Sequence, residues 1–336
     1  MKRFWKNKRF GIITAALLLS FTTYALLDTF VIAHAYSTET PAEQSQISIE
    51  SGQEEVTAEE TEDTTSEAEE ESARSRHGKL RTEDQETSES SAAEETVTAT
   101  SYKDDDLSVR ISEYTVENTS VYVADITVSS ETGLQTAFAS GTYGKNIKDT
   151  TSRIASDADA VLAINGDFYG ARNTGYVIRN GVLYRDTAGG NEDLVVWSDG
   201  SMSIVSEDDV SAEELLEQGA WQVFSFGPAL VENGEIAVTS EEEVGKAMAS
   251  NPRTAIGILE NGHYVFVVSD GRTDESEGLT LYELAQFMES LGVETAYNLD
   301  GGGSSTMVFN GTLINNPTTS GNSVKERSVS DIVYVG

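Results

Sequence analysis

Cysteine is absent from the chain of 336 residues, and only three histidines are present. Without cysteine the chain has no disulfide framework, no thiolate nucleophile and no cysteine-ligated zinc. Beyond residue 100 the single histidine is His263, so a histidine-rich zinc site is excluded too. Strand alternation places His263 and Asp270 on opposite faces, which disfavours a Ser-His-Asp triad with Ser304 or Ser305. No metal site and no cofactor are predicted, although a Ca²⁺ ion held by carboxylates stays open without a loop motif to support it.

Basic residues are scarce as well. The chain has 22 Lys and Arg against 57 Asp and Glu, for a formal net charge of −35. From Ser101 onward, 13 basic residues stand against 37 acidic ones, which leaves −24. Because such a surface repels a phosphate backbone, the sequence argues against nucleic acid as a partner.

The N-terminus places five basic residues in its first nine positions, followed by an apolar run over 10–27, Asp28 and a second apolar piece over 29–36. This pattern predicts an export signal whose basic end stays in the cytoplasm. The combined run is long enough to cross a bilayer of about 30 Å, so residues 1–36 are predicted to be a cytoplasmic stub and signal-anchor in the membrane. The C-terminal domain is then extracellular, on a single-pass protein of the cell membrane. Ala33-His34-Ala35 has the form of a cleavage site, so the alternative is a cleaved signal and a secreted domain.

Residues 37–100 hold 19 acidic and 4 basic side chains and almost no aromatics. A segment of this composition cannot bury enough apolar surface to offset its ordering entropy. It is predicted to be an acidic disordered linker, which leaves residues 101–336 as one extracellular domain.

The pattern of that domain predicts a strand-rich α+β fold with a mixed sheet and several hairpins. Alternating strands are predicted over 107–111 and 121–128, and helices over 148–155, 212–218 and 281–291. Asn-Gly pairs between apolar runs are the strongest short hairpin signal. Four such pairs occur: Asn180-Gly181, Asn233-Gly234, Asn261-Gly262 and Asn310-Gly311.

A βαβ unit is predicted near the C-terminus, with strands over 263–269 and 293–299 around the helix over 281–291. Such crossovers make right-handed pairs of parallel strands, so these two strands are expected to pair directly, and ligands gather beyond the carboxyl ends of such strands. Asp270 and Asp300 both follow these ends, so we expect their carboxylates at the same edge of the sheet.

Three segments couple an acid to glycine after a strand, and the simplest interpretation of each is a turn. They are Asn165-Gly166-Asp167, Asp270-Gly271-Arg272 and the run Asn298-Leu299-Asp300-Gly301-Gly302-Gly303-Ser304-Ser305. A run of three glycines exceeds what a turn needs, and indicates either backbone N–H groups that converge on an anion or close approach of a ligand. The run lacks the lysine of a P-loop, which disfavours nucleotide binding.

Glu283 and three arginines complete the candidate residues. Glu283 is a candidate acid, but Thr280-Leu281-Tyr282-Glu283 also fits a helix capping box. Arg253, Arg272 and Arg327 carry guanidinium forks that match phosphate oxygens, whereas the simpler alternative is an ion pair with one of the many carboxylates.

With these motifs in order, the chain resembles the phosphodiester glycosidase family, which has animal members and bacterial members linked to exopolysaccharides. The resemblance covers about residues 140–336, and its most specific block is Asp300-Gly-Gly-Gly-Ser-Ser at its spacing from Asp270-Gly-Arg. Many relatives have Asn-Gly-Gly-Phe-Phe where this chain has Asn-Gly-Asp-Phe-Tyr, so Asn165 and Gly166 carry over more directly than Asp167.

The resemblance implies hydrolysis of the bond between a sugar's anomeric carbon and a phosphodiester, in a cell-surface or exopolysaccharide glycan. A phosphate monoester is a good leaving group, so arginines would stabilise its charge while a carboxylate activates water or attacks the sugar. Asp270, Asp300 and Glu283 are the catalytic candidates. The predicted substrate-binding residues are Asn165, Gly166, Asp167, Arg253, Arg272, Asn298, Gly301, Gly302, Gly303, Ser304, Ser305 and Arg327. The alternative function is a non-catalytic, membrane-tethered protein that binds glycans or assembles the envelope.

Overall fold

The computed structural model describes residues 17–28, 31–36, 96–97, 99–240, 250–319 and 323–336. The helices are α1 (17–28), α2 (Thr151–Asp157), α3 (Ala212–Glu217) and α4 (Leu281–Ser290). The strands, in chain order, are β1 (His34–Ala35), β2 (Thr96–Val97), β3 (Ser101–Lys103), β4 (Leu107–Val116), β5 (Thr119–Val128), β6 (Gln135–Phe138), β7 (Gly144–Lys145), β8 (Leu162–Asn165), β9 (Val177–Arg179), β10 (Val182–Arg185), β11 (Glu192–Trp197), β12 (Met202–Ser206), β13 (Ala220–Phe224), β14 (Ala229–Glu232), β15 (Glu235–Ile236), β16 (Arg253–Glu260), β17 (His263–Ser269), β18 (Thr295–Asn298), β19 (Met307–Phe309), β20 (Thr312–Leu313) and β21 (Asp331–Val335).

The strands form four sheets, and the strand-rich α+β class predicted from the sequence is confirmed. The largest sheet has the order β15-β14-β18-β16-β17-β5-β4-β3-β2. Two five-stranded sheets have the orders β20-β19-β8-β21-β6 and β10-β9-β13-β11-β12, and β1 pairs with β7. Every strand pair among the described residues is antiparallel. The prediction of a mixed sheet is therefore wrong.

All four Asn-Gly pairs connect hairpins, as predicted: β9 to β10, β14 to β15, β16 to β17 and β19 to β20. The backbone conformation of the turn explains why asparagine and glycine occur there. At Asn180-Gly181 both central residues have positive φ, at 50° and 72°. This is the turn whose twist matches that of the flanking strands, and asparagine followed by glycine adopts it at the least steric cost.

The predicted βαβ unit is present in a split form. Strands β17 and β18 run in the same direction on either side of α4, but β16 lies between them and pairs antiparallel with both. The prediction that the two strands pair directly is therefore wrong. The expectation that Asp270 and Asp300 lie at the same edge of the sheet still holds, because β17 and β18 run in the same direction and these two residues follow them.

The main core lies where the three larger sheets meet. Leu107 and Phe266 come from the nine-stranded sheet, Ile164 from the sheet of β8, and Leu194 from that of β11, and all four belong to one buried cluster. The helices cover outer faces: the buried side of α4 packs on the nine-stranded sheet, and α2 and α3 cover the two smaller sheets. Burial at this scale fixes the strand ends that carry the polar motifs.

The N-terminal predictions fall largely outside the described residues. Residues 1–16 of the predicted signal-anchor and almost all of the linker over 37–100 lie there, so the three-part division of the chain stays a prediction. Within the described part of the chain, no helix is long and apolar enough to cross a membrane. Residues 31–36 are described, and β1 pairs with β7 through His34 and Ala35.

Candidate active site

A cleft of about 580 Å³ opens at the edge where β16, β17 and β18 meet the glycine run. Its volume is that of an ordinary small-molecule site. The residues that line it are Phe168, Arg172, Phe226, Asn251, Arg253, Arg272, Asn298, Leu299, Asp300, Gly301, Gly302 and Arg327. The cleft therefore brings together seven of the fifteen predicted site residues: Arg253, Arg272, Asn298, Asp300, Gly301, Gly302 and Arg327.

Asp300 is the only acid among the described residues that line this cleft. Its carboxylate lies 3.0 Å from Arg327 Nη2 and accepts a hydrogen bond of 2.6 Å from Ser304 Oγ. Arg327 Nε in turn donates to Ser304 Oγ at 2.9 Å. Burial raises the pKa of Asp300, and the Arg327 guanidinium opposes that rise. The arrangement holds one buried, oriented carboxylate beside a cation, which suits a nucleophile or a general base.

Arg272 also lines the cleft. Its Nε and Nη2 donate to Asn251 Oδ1 at 3.0 and 2.8 Å, and its Nη1 donates to the carbonyl oxygen of Thr319 at 2.7 Å. A Cβ at Gly302, whose φ is +63°, would lie 2.9 Å from Arg272 Nη2. Glycine is therefore needed there both for its backbone conformation and for the approach of the guanidinium. Burial and the nearby charge of Arg327 lower the pKa of Arg272, as expected for cations gathered around an anion site.

Three N–H groups of the glycine run are already used within the fold, so they are not free to converge on an anion. The N–H of Gly302 donates to the carbonyl oxygen of Pro252 at 2.7 Å, and those of Ser304 and Ser305 donate to Gly301 and Gly302. The other interpretation fits better, since Gly301 and Gly302 line the cleft and let a ligand reach the backbone. Gly303 lies under Thr319 instead, outside the cleft wall.

Asn165 and Asn298 differ in whether their side chains have a polar atom left to bind a ligand. Asn165 is fully enclosed: its Nδ2 donates to the carbonyl oxygen of Asp300 at 2.6 Å, and its Oδ1 accepts from Thr254 Oγ1 and Thr306 N. It therefore joins β8 to the loop after β18 and holds the backbone of Asp300. Asn298 lines the cleft, donates from Nδ2 to Gly227, and keeps a buried Oδ1 with no partner among the described residues. An unsatisfied oxygen at this position suits a sugar hydroxyl or a water molecule.

Asp167, predicted to bind substrate, is buried and does not line the cleft. It is 3.0 Å from Arg179 Nη2, and Arg179 Nε is 2.9 Å from Asp331. All three side chains are about 1% exposed or less. Gly166, which connects Asn165 to this group, donates its N–H to the carbonyl oxygen of Asp331. The ion-pair alternative raised for the arginines thus holds for Arg327, which pairs with Asp300, and also for Arg179, which the sequence analysis did not select.

Asp270 reaches the predicted edge but does not line the cleft. Its Oδ1 accepts from Asn316 N at 2.8 Å and Asn315 Nδ2 at 3.2 Å, and its Oδ2 accepts from Asn316 Nδ2 at 3.1 Å. Burial, and then the charge of Asp270, raise the pKa of Tyr122 to about 12. The contacts show Asp270 bracing the loop at Asn315 and Asn316; its catalytic role stays a prediction. Ser305 does not line the cleft either, and its hydroxyl is buried.

Glu283 forms the capping box of α4 with Thr280. The Thr280 N–H donates to Glu283 Oε2 at 2.8 Å, and the Glu283 N–H donates to Thr280 Oγ1 at 3.1 Å. Glu283 does not line the cleft. These contacts support the structural alternative for Glu283, in which it caps the helix.

The variant Glu283→Ala distinguishes a helix-capping role of Glu283 from a catalytic one. We expect it to lower the free energy of unfolding by about 0.3–1.5 kcal/mol, the range for one helix-capping feature, and to leave kcat/KM near that of the wild type. Thermal and denaturant unfolding, with Thr280→Ala as the matched variant, measure the first effect. A folded Glu283→Ala protein without hydrolytic activity would place Glu283 in the catalytic machinery after all.

Arg172, Phe168 and Phe226 are cleft residues that the sequence analysis missed. Arg172 lies over the Phe226 ring at 4.9 Å and donates from Nη1 to the carbonyl oxygen of Ser225 at 3.0 Å. Phe168 is 39% exposed, which is unusual for phenylalanine at a concave surface. The scarcity of arginine, which singles out Arg253 and Arg272, would have selected Arg172 if applied to every arginine of the domain.

The sequence model of the phosphodiester glycosidase family matches residues 158–336, more than half of the chain. The chain therefore belongs to the phosphodiester glycosidase family, a family of hydrolases. It is 32% identical over 185 residues to human N-acetylglucosamine-1-phosphodiester α-N-acetylglucosaminidase. It is 35% identical over 182 residues to the SPbeta prophage-derived uncharacterized protein YomE of Bacillus subtilis. These matches cover 50% and 52% of the chain but only 36% and 28% of the two relatives.

Two solved structures share the fold. The catalytic domain of zebrafish N-acetylglucosamine-1-phosphodiester α-N-acetylglucosaminidase superposes with a TM-score of 0.55 at 21% identity, covering 68% of this chain and 82% of that one. A hypothetical protein from Synechocystis gives a TM-score of 0.53 at 15% identity, covering 69% of this chain and 62% of that one. At these identities the likeness establishes the common fold.

Proposed function

We propose that the chain hydrolyses the bond between the anomeric carbon of a sugar and a phosphodiester. The observation that carries this proposal is the lining of the cleft, where Arg172, Arg253, Arg272 and Arg327 occur together with the single carboxylate of Asp300 in a chain of net charge −35. An acidic protein repels a phosphodiester in general, so a local cluster of cations is what allows one to bind. The family and the names of its animal members point to the same chemistry.

In this reaction Asp300 acts on the anomeric carbon, either directly or through a water molecule. The arginines take up the charge that develops on the departing phosphate monoester, which needs little protonation. Asn298 Oδ1 accepts a hydrogen bond from the sugar or the attacking water. Phe168 and Phe226 offer apolar surface to the sugar ring.

The substrate and the location of the protein are part of the proposal. The basic and apolar N-terminus supports a membrane-anchored enzyme whose domain acts outside the cell, on a phosphate-linked glycan of the cell surface or an exopolysaccharide. The sugar in the names of the animal relatives, N-acetylglucosamine, is the first to test.

A screen of sugar 1-phosphodiesters for release of free sugar tests the proposed function. We expect release from at least one of these substrates, and release at least about 10²-fold slower when Asp300 is replaced by Asn. Tight binding of the same compounds without any release would instead favour the non-catalytic, glycan-binding alternative.

The pH dependence of kcat/KM follows from the burial of Asp300. Burial raises its pKa above the ordinary value of 3.8, and a base or nucleophile must be ionised, so activity falls as the pH decreases, with a midpoint above 3.8. Arg327 lowers this pKa, so Arg327→Gln should move the midpoint to higher pH. A pH profile of both proteins measures the shift. Loss of activity on the basic side instead would mean that Asp300 acts as a protonated acid.

Arg272→Lys tests phosphate recognition, because lysine retains the charge but loses the bidentate fork. We expect kcat/KM for a sugar phosphodiester to fall about 10-fold or more, on the order of 1.4 kcal/mol. A neutral aryl glycoside of the same sugar should be affected far less. Arg153→Lys, at an exposed arginine of α2 paired with Asp157, is the matched control. Equal slowing of both substrates would mean that Arg272 holds the fold or the sugar.

A further inference from the structure

Three residues that line the cleft come from two loops in different sheets. Phe168 and Arg172 belong to the segment 168–172 after β8, and Phe226 belongs to the segment 225–228 after β13. We call these two segments the phenylalanine loops. No strand ladder connects β8 to β13, so contacts outside the sheets must hold one phenylalanine loop in place relative to the other.

The carboxylate of Asp167 accepts one hydrogen bond from each phenylalanine loop. Its Oδ1 accepts from the N–H of Tyr169 at 3.0 Å, and its Oδ2 accepts from the N–H of Ser225 at 3.1 Å. Tyr169 directly follows Phe168 in the chain, and Ser225 directly precedes Phe226. Because the two oxygens belong to one rigid group, and hydrogen bonds to an ionised acceptor are the stronger kind, this bridge holds the backbones of both phenylalanines.

Two further contacts act on the loop of Phe226. Arg172 Nη1 donates to the carbonyl oxygen of Ser225 at 3.0 Å, which is a second connection between the phenylalanine loops. The N–H of Phe226 donates to the hydroxyl oxygen of Tyr297 at 2.9 Å, and that hydroxyl donates to the carbonyl oxygen of Glu192 at 2.7 Å. The position of Phe226 therefore depends on both Asp167 and Tyr297.

The buried ion pair with Arg179 could by itself account for Asp167, and Asp331 allows the two roles to be separated. Arg179 Nη2 lies 3.0 Å from Asp167, Arg179 Nε lies 2.9 Å from Asp331, and both acids are buried. The Asp331 carboxylate accepts from Arg179 through Oδ2, and its Oδ1 has no partner among the described residues. Asp331 thus shares the ion pair with Asp167 without bridging the phenylalanine loops.

We propose that Asp167 is a positioning residue for sugar binding, because it holds the phenylalanine loops together at the cleft. This inference rests on the proposed function, in which Phe168 and Phe226 offer apolar surface to the sugar ring. Asp167 acts through the backbone of Tyr169 and Ser225, and contacts neither the sugar nor the phosphate. The phenylalanines contact the sugar equally in the bound substrate and in the transition state, so loss of the bridge raises KM and changes kcat little.

The variant Asp167→Asn tests this role in the full chain. The amide keeps the shape of the side chain but places an NH2 donor where one N–H of the phenylalanine loops needs an acceptor. The substrate is the methyl diester of N-acetylglucosamine 1-phosphate, at a pH where the rate no longer depends on pH. We expect KM to rise about 10-fold and kcat to change by less than about 2-fold.

Asp331→Asn is the matched control, because it removes the same charge from the same arginine and leaves the bridge in place. We expect its KM to stay near that of the wild type. Tyr297→Phe loosens Phe226 from the other side without touching the ion pair, so it should raise KM as well. It keeps the test decisive if Asp167→Asn does not fold, which thermal melts of all variants show.

The outcomes separate the positioning role from the proposed function. An unchanged KM in Asp167→Asn and Tyr297→Phe, a loss confined to kcat, or an equal rise of KM in Asp331→Asn would overturn the positioning role and leave the function standing. If the wild type binds the diester in calorimetry without hydrolysing it, the function fails for this sugar. Weaker binding in Asp167→Asn but not in Asp331→Asn would then support the positioning role, and equal binding would overturn it. A wild type that neither hydrolyses nor binds the diester would overturn both.

Discussion

Asp300→Asn should reduce kcat/KM for a sugar 1-phosphodiester by about 10²–10⁴-fold, the usual contribution of a catalytic carboxylate. The substitution keeps the shape of the side chain and can retain contacts with Ser304 and Arg327, which hold the carboxylate in the structure. It removes the negative charge that would activate water or attack the anomeric carbon. Steady-state kinetics, with a thermal melt to confirm folding, measure the effect.

Asp270→Asn is the matched control, because Asp270 and Asp300 are both buried acids at the same sheet edge. An amide at position 270 would face the donors of Asn315 and Asn316 with its own N–H groups, so we expect a loss of about 1–3 kcal/mol in stability. The hydrolytic rate should fall much less than in Asp300→Asn. A stable Asp270→Asn protein as inactive as Asp300→Asn would move the catalytic carboxylate, or a second one, to Asp270.

Arg179→Met should lower the free energy of unfolding by about 3–5 kcal/mol at neutral pH, because it leaves two buried carboxylates without their cation. Arg179 lies between Asp167 and Asp331, donates to the carbonyl oxygens of Ile178 and Val223, and lies 4.4 Å from the centre of the Phe224 ring. Methionine keeps most of the packing volume but supplies no charge. Denaturant unfolding of both proteins gives the difference directly.

The stability that Arg179→Met loses relative to the wild type should depend on pH. Burial raises the pKa of Asp331, and the Arg179 guanidinium opposes that rise. Without Arg179 the carboxylate of Asp331 binds a proton more readily when folded than when unfolded, so the deficit should shrink as the pH falls. Arg179→Met/Asp331→Asn removes one of the stranded charges and should regain part of the stability. A deficit that is small, or that grows on acidification, would contradict the ion-pair account.

The hairpins and the main helices could be predicted from the sequence because local chemistry determines them. The conformation of Asn180-Gly181 and the capping box of Thr280 and Glu283 depend on neighbours within a few residues. The position of β16 between β17 and β18 could not be predicted in this way. It depends on which long-range strand pairs form, and no alternation pattern within β17 or β18 indicates it.

The candidate site, too, could be predicted from the sequence only in part. Motifs at the ends of β16 and β18 identified Arg253, Asn298 and Asp300, because strand direction places all of them at one edge. Side-chain direction beyond the strand ends was not predictable, so Asp270 and Asp300 looked equivalent in the sequence. Phe226 was missed because it reaches the cleft from the loop after β13, in a different sheet.

The position of bond cleavage tests the central claim most directly. A glycosidase adds water to the anomeric carbon, whereas a phosphodiesterase adds it to phosphorus, and both can release free sugar. Hydrolysis of a sugar 1-phosphodiester in water enriched in heavy oxygen, followed by mass spectrometry of the phosphate monoester, distinguishes them. Because Asp300 acts at the sugar and the arginines hold the departing phosphate in the proposed reaction, we expect a phosphate monoester without the label. Incorporation of one heavy oxygen atom into the phosphate would contradict this mechanism.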